Sequence, residues 1–198
     1  METSLFPVFL KLAGRRVLVV GAGPVATSKI EGLLAAGADV TVIAPEMTTA
    51  IEAAPVTRVR RPFEPADLDG AWLVVTAATP EVNRDVARVA EERRVFVNAV
   101  DDPPHATAYL GGVLRRDGVT LAISTCGHAP ALAGLLREAL DRVLPKDLDR
   151  WVAEARAIRR SWIERHVPMA QRRPQLLRAL NALYARRTRQ YLASELWL

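Results

Sequence analysis

Gly21, Gly23 and Ala26 stand at the spacing Gly-x-Gly-x-x-Ala, directly after the apolar run Val17-Leu18-Val19-Val20. Gly21 permits a tight turn out of a buried strand. Gly23 lacks a Cβ, so a pyrophosphate could approach its backbone, and Ala26 is small enough for a helix to lie close on the strand. A helix opening here offers free N–H groups and partial positive charge to phosphates. The flanks suit a dinucleotide site, with four apolar residues before the turn and an amphipathic stretch from Lys29 to Ala36 after it, ending at Gly37. A ligand-free glycine turn would use the same residues.

The other residues with chemistry lie further on. Asp101 follows the apolar run Val95–Val100 and precedes Asp102-Pro103; a carboxylate there serves as a general base or as a turn former. Asn98, inside that run, suits either a bond to a cofactor or a role in orienting the turn. Ser124, Thr125 and the N–H groups ahead of Pro130 make a polar helix entry, fit for a substrate carboxylate or for an ordinary cap. His105 and His128 could move protons near neutral pH, although a structural or solvent role is the simpler reading of each; His166 reads as surface. Three His and one Cys at these spacings match no structural zinc site, so no resident metal is expected. Cys126 reads as a small buried apolar residue.

These residues need a scaffold. The pattern predicts strands at Val17–Val20, Val40–Ala44, Thr57–Arg60, Trp72–Ala78 and Val95–Val100, with helices over Ala26–Ala36 and Pro80–Arg93 and a helical turn at Pro65–Leu68. Strands alternating with helices imply a parallel sheet covered on both faces, whose ligands sit at the carboxyl ends of the strands. Gly21, Pro45, Thr79 and Asp101 all fall at such ends and should share one crevice. The second strand ends Ile43-Ala44-Pro45 without the acid that often takes the ribose hydroxyls. Glu46 is the first acid and no arginine stands beside it, which favours NAD over NADP. After Asp101 the pattern changes to two strands, Tyr109–Leu114 and Val119–Ser124, joined at Arg115–Gly118. A helix from Pro130 to Val143 follows, then a helical segment from Leu148 interrupted at Pro168 and Pro174.

The chain has 198 residues, half of them hydrophobic, enough for a substantial core. One cysteine allows no disulfide within the chain, and no stretch approaches the roughly 20 apolar residues of a membrane span. The opening residues carry no basic region followed by an apolar run. A soluble cytoplasmic protein is expected. The net charge of +5 is uneven: residues 1–150 hold 17 Lys+Arg and 19 Asp+Glu, whereas residues 151–198 hold 10 Arg and 3 Glu. Arg156, Arg159 and Arg160 share a helix face, with Trp151, Ile158 and Trp162 expected to pack that helix down. Such a tail suits a polyanionic small molecule, a nucleic acid or a plain solvated face.

Several motifs converge in order. They are Pro7-Val8-Phe9-Leu10-Lys11-Leu12, the glycine turn Val19–Ala26 with Lys29, Ala77-Ala78-Thr79, Phe96–Pro103 containing Asn98-Ala99-Val100-Asp101-Asp102-Pro103, and Ser124–Ala133 followed by Leu136-Arg137-Glu138. With them the chain resembles the precorrin-2 dehydrogenase module, the N-terminal part of siroheme synthase, and its free-standing relatives. The likeness covers residues 7 to about 146 and is loose beyond. It implies a Rossmann-type NAD-binding domain over residues 1–113, a dimerisation region over 114–146 and a C-terminal helical basic domain over 147–198. It also implies oxidation of precorrin-2 to sirohydrochlorin with NAD, metal insertion in some members, and a homodimer. Asp101 matches the family's essential aspartate. Pro24, Val25, Pro45 and Glu46 match its cofactor contacts, beside Gly21, Gly23, Thr79, Asn98 and Val100, and Ser124, Thr125 and His128 stand where substrate is expected. Thr125 replaces a serine of many relatives and keeps the hydroxyl. The family's frequent methyltransferase module has no counterpart here, so precorrin-2 is expected to arrive ready-made. The alternative, an NAD-sensing regulator binding nucleic acid through the basic tail, lacks a helix-turn-helix signature, so neither nucleic acid nor membrane is an expected partner.

Overall fold

The computed structural model describes the backbone of residues 5–195 and the side chains of residues 5–183. The Met1–Ser4 start and the side chains at the end of the Arg-rich tail, both read above, lie outside the described residues. The chain forms two compact units. The first runs to Gly111 and takes in Ser124–Pro130, and the second holds Gly112–Ile123 and everything from Ala131 on. The second unit holds the hairpin together with all later helices.

In the first unit, β1 (Arg16–Val20), α1 (Pro24–Ala35), β2 (Asp39–Ile43), α2 (Thr49–Ala53), β3 (Thr57–Val59), β4 (Leu73–Thr76), α3 (Pro80–Glu92) and β5 (Phe96–Ala99) follow one another. All strand pairs are parallel, in the order β3-β2-β1-β4-β5. This is the Rossmann-type α/β arrangement. Side chains alternate between the two sheet faces, and both faces are covered, which explains the near-continuous apolar strands. Val17, Val19, Val40, Val42, Leu73 and Val75 pack with Ala26, Ile30 and Leu33 of α1. Leu18, Val20, Ile43, Val74 and Val97 pack with Val86, Val89 and Ala90 of α3. The short helix α2 was not anticipated; five residues are too few to show a helical period.

The register aligns the strand ends. Val20 sits level with Ile43 on one side and Thr76 on the other, and Thr76 is level with Ala99. Gly21, Ala44, Ala77 and Val100 therefore form one row at the carboxyl edge. The strand order reverses between β1 and β4, the place where such sheets open a crevice.

The second unit has the antiparallel pair β6 (Gly112–Arg116) and β7 (Val119–Ile123), then α4 (Pro130–Val143), α5 (Leu148–Glu164) and α6 (Met169–Glu195). Strand β6 starts later than Tyr109, since pairing with β7 begins at Gly112 opposite Ile123. Arg116 ties β6 to the end of α4 through the Leu144 carbonyl (3.2 Å), the Asp141 carbonyl (3.0 Å) and the Asp141 carboxylate. Trp162 is buried and its Nε1–H donates to Gln175 Oε1 at 2.7 Å, joining α5 to α6. Pro168 separates these helices as expected, but Pro174 does not interrupt: it lies near the start of α6 and removes only the bond to the carbonyl four residues back. Among the described residues no helix is long and apolar enough to cross a membrane.

Candidate active site

The edge row makes a cleft. Gly21 has φ +100°, and a Cβ on it would meet the Ala77 carbonyl oxygen at 2.3 Å. A side chain there is excluded both by conformation and by the close approach of β4. Its N–H donates to the Ile43 carbonyl at 2.9 Å, stitching β1 to β2 just past the last paired residues. Gly23 is different. Its φ is −82°, and a Cβ on it would meet nothing within 4 Å, so no part of the described chain requires a glycine there. Gly23 caps α1, whose N-terminus has no side-chain cap and no acid in its first turn. Pro24 supplies no N–H, and the next N–H groups have no intrahelical acceptor. The positive end of α1 thus faces an open surface, partly covered by the half-exposed side chain of Val25.

Val25 of α1, Ala77 past β4, and Val100 and Asp101 past β5 line a cleft of about 460 Å³ at the carboxyl ends of β4 and β5. Asp101 follows directly from the end row, since the Val100 N–H donates to the Thr76 carbonyl at 3.0 Å. Its backbone takes the left-handed conformation, φ +57°, which Asp tolerates better than most residues but which still costs about 1–2 kcal/mol. The carboxylate is exposed. Asp102 and His105 line the same cleft and pair through Oδ1 and Nδ1 at 2.8 Å across one tight turn, Pro103–His105.

The remaining expected residues lie around this cleft rather than in its lining. Pro45 and Glu46 are exposed at the end of β2, on the far side of β1. Thr79 precedes α3, and its hydroxyl bonds the Glu81 carboxylate. Glu81 is held below the usual carboxylate range first by its own backbone N–H and then by Thr79. Asn98 is buried and its Nδ2 donates to the Ala108 carbonyl at 2.9 Å, while its Oδ1 has no partner among the described residues. The chain after Asp101 folds back along β5 with this bond and that from the Val97 N–H to Thr107 Oγ1 (2.9 Å). The hydroxyls of Ser124 and Thr125 accept from the N–H groups of Cys126 (3.1 Å) and Ala129 (3.2 Å), building the turn into α4. In that turn Cys126 is half-buried with φ +54°, not a core residue. His128 is exposed two residues later and donates its backbone N–H to the Thr125 carbonyl at 2.9 Å. The loop lies against the Asp101 segment: a Cβ on Gly127 would come within 3.0 Å of Pro103.

Two cleft residues escaped the sequence reading. Asn83 is buried, and its Oδ1 accepts from Thr76 Oγ1 at 2.6 Å and from the Ala78 N–H at 3.0 Å. It locks the cleft floor to α3. Its place on the buried stripe with Val86, Ala87 and Ala90 was the available signal, a polar residue at a core position. Arg84, the next residue, also lines the cleft.

A family model for NAD(P)-binding, NAD_binding_7, matches residues 8–112. The chain belongs to this NAD(P)-binding family. The match ends where the first compact unit gives way to β6. Over 178 residues the chain is 40% identical to the siroheme synthase of Methylobacillus flagellatus, covering 87% of this chain and 38% of that protein. With the siroheme synthase of Photorhabdus laumondii it shares 37% over 184 residues, covering 90% and 39%. The chain thus spans under two-fifths of the length of these relatives. Among solved structures, one described as SirC, precorrin-2 dehydrogenase, superposes with a TM-score of 0.66 at 24% identity and covers 96% of this chain and all of that one; it shares the fold. For an NAD(P)-binding family member the uncapped start of α1 and the open face above Gly23 fit a pyrophosphate, with Val25 and Val100 as the apolar wall.

Proposed function

We propose that this chain oxidises precorrin-2 to sirohydrochlorin with NAD as hydride acceptor. The observation that carries this reading is the exposed Asp101 carboxylate in the cleft past the ends of β4 and β5, which Val25 of the helix after the glycine turn also lines. Likeness to siroheme synthases over most of the chain supports the substrate.

In this reading Gly21, Gly23, Pro24 and Val25 hold the dinucleotide, Pro45 and Glu46 lie by its ribose at the end of β2, and Val100 backs it. Thr79 and Asn98 act through the loops they tie, the 79–81 turn and the 98–108 return. The bound nicotinamide supplies the acceptor for one hydride from a ring carbon. The substrate then loses one proton to balance the change, and Asp101 receives it. The left-handed backbone at Asp101 fixes where the carboxylate projects, and Asn83 keeps the opposite wall still. Ser124, Thr125 and His128 shape the loop against Pro103 and border the substrate; the two hydroxyls act through the turn they build.

The second copy of a homodimer would cover the apolar face of α4. Leu132, Leu135, Leu136, Leu140 and Val143 are 49, 64, 42, 38 and 78% exposed. No membrane or nucleic acid is needed. The lone cysteine supports a reducing compartment, the cytoplasm.

The purified chain, incubated under nitrogen with precorrin-2 and NAD, is expected to form sirohydrochlorin only when NAD is present. Added ferrous ion would consume sirohydrochlorin above the spontaneous rate if the chain also inserts metal. Asp101→Asn, which tolerates the same backbone, is expected to lower kcat on the order of 10²–10⁴-fold with NAD affinity retained. Normal turnover by this variant would remove Asp101 as the base.

A further inference from the structure

Arg84 is the cleft's one permanent cation among the described lining residues. Three other arginines of this unit have closer carboxylate partners. Arg88 is shared between Asp85 (2.8 Å) and Glu92 (2.7 Å), Arg61 is bidentate on Asp67 (2.8 and 2.6 Å), and Arg93 reaches Asp69 at 2.8 Å. Arg84 instead meets Glu81 at 3.5 Å, with the two side chains 53% and 75% exposed. A pair so long and so wet holds neither partner tightly. Glu81 has better partners in its own backbone N–H and the Thr79 hydroxyl, and Arg84 is a lesser cause of its lowered pKa. The backbone beneath is fixed, because Asn83 is anchored to Thr76 and Ala78. A loosely tethered guanidinium therefore stands on a rigid base at the mouth of a cleft whose acids, Asp101 and Asp102, lie on the other loop.

We propose that Arg84 binds a carboxylate substituent of the ring substrate, and that Glu81 competes only weakly for the guanidinium until that carboxylate arrives. This rests on the reading that the tetrapyrrole enters this cleft. The planar fork of arginine matches a carboxylate with two parallel bonds. The nucleotide pyrophosphate is the other oxyanion present, and the open N-terminus of α1 already suits it.

Sirohydrochlorin binding to the full chain, followed by absorbance without nucleotide, tests the proposal beside a separate NAD titration. Arg84→Gln is expected to weaken sirohydrochlorin on the order of tenfold, with NAD affinity unchanged. In turnover it raises KM for precorrin-2 and spares kcat. Arg84→Lys keeps the charge without the fork and falls between. Glu81→Gln removes the competing carboxylate and tightens sirohydrochlorin, a change of opposite sign that a merely structural pair would not give. Full binding by Arg84→Gln, or lost NAD affinity in its place, overturns the assignment. A parent chain that binds no sirohydrochlorin overturns both the assignment and the substrate reading beneath it.

Discussion

The two units bury their apolar residues very differently. In the first, both faces of a five-stranded sheet are sealed, and Val17, Leu18, Val19, Val42, Ile43, Val74 and Val75 are fully inaccessible. In the second, Leu114, Ala133, Leu148 and Trp162 are the buried apolar residues among those described, while α4 leaves a row of leucines open. The first unit carries its own core and can hold a cleft rigidly at its edge. The second carries apolar surface that the described residues of one copy leave open, as the proposed dimer would need.

Substitutions should separate the two. Leu18→Ala, at a site with no solvent contact, is expected to cost about 2–5 kcal/mol in urea unfolding. Leu135→Ser, at a site mostly open in a single copy, should cost under about 0.5 kcal/mol in the monomer. Equal costs would erase the distinction between the units. Next in size is assembly: Leu135→Glu is expected to raise the dissociation constant of the proposed dimer about 10–100-fold, read by sedimentation at several concentrations. A chain that stays monomeric before the substitution would mean that α4 is covered by something else.

A third effect is electrostatic and confined to the first unit. Asp67 is buried, accepts two bonds from Arg61 and one from the Glu64 N–H at 2.8 Å, and is held below the usual carboxylate range first by the Arg61 bond. A carboxyl lowered on folding stabilises fully above its unfolded value and loses that contribution as pH falls through the lowered one. Arg61 is 36% exposed, so solvent weakens the pair, and Asp67→Asn should cost about 1 kcal/mol at neutral pH. Stability of the variant should also fall less than the parent's on acidification, measured by urea midpoints at falling pH. Parallel curves would show that Asp67 contributes nothing specific.

Legibility followed the same division. The glycine turn and the strands around Val74 and Val97 could be read because they need only local period and composition. Strand ends in a parallel sheet align, so Gly21, Pro45, Thr79 and Asp101 are expected in one crevice; Asp101 lines the cleft, and Pro45 and Thr79 lie around it. Arg84 could not be foreseen, since its meaning depends on Glu81 in space, and Asn83 showed only as a polar residue on an apolar stripe, its partners Thr76 and Ala78 being set by the fold. The hydroxyls of Ser124 and Thr125 read equally as a cap or as ligand donors; only the bonds to the Cys126 and Ala129 N–H groups show the turn they build. Pro174 misled because a proline's effect depends on which carbonyl it leaves unpaired.

The 2.3 Å approach between an added Cβ at position 21 and the Ala77 oxygen has a mechanical consequence. A single methyl group there would act as a wedge between the exits of the two central strands. The Ala77-Ala78 peptide would have to tilt, taking with it the N–H that Asn83 holds, so damage begun on one wall would reach the other through one amide. The hydrogen atom at that α-carbon is what lets the two strand exits come this close.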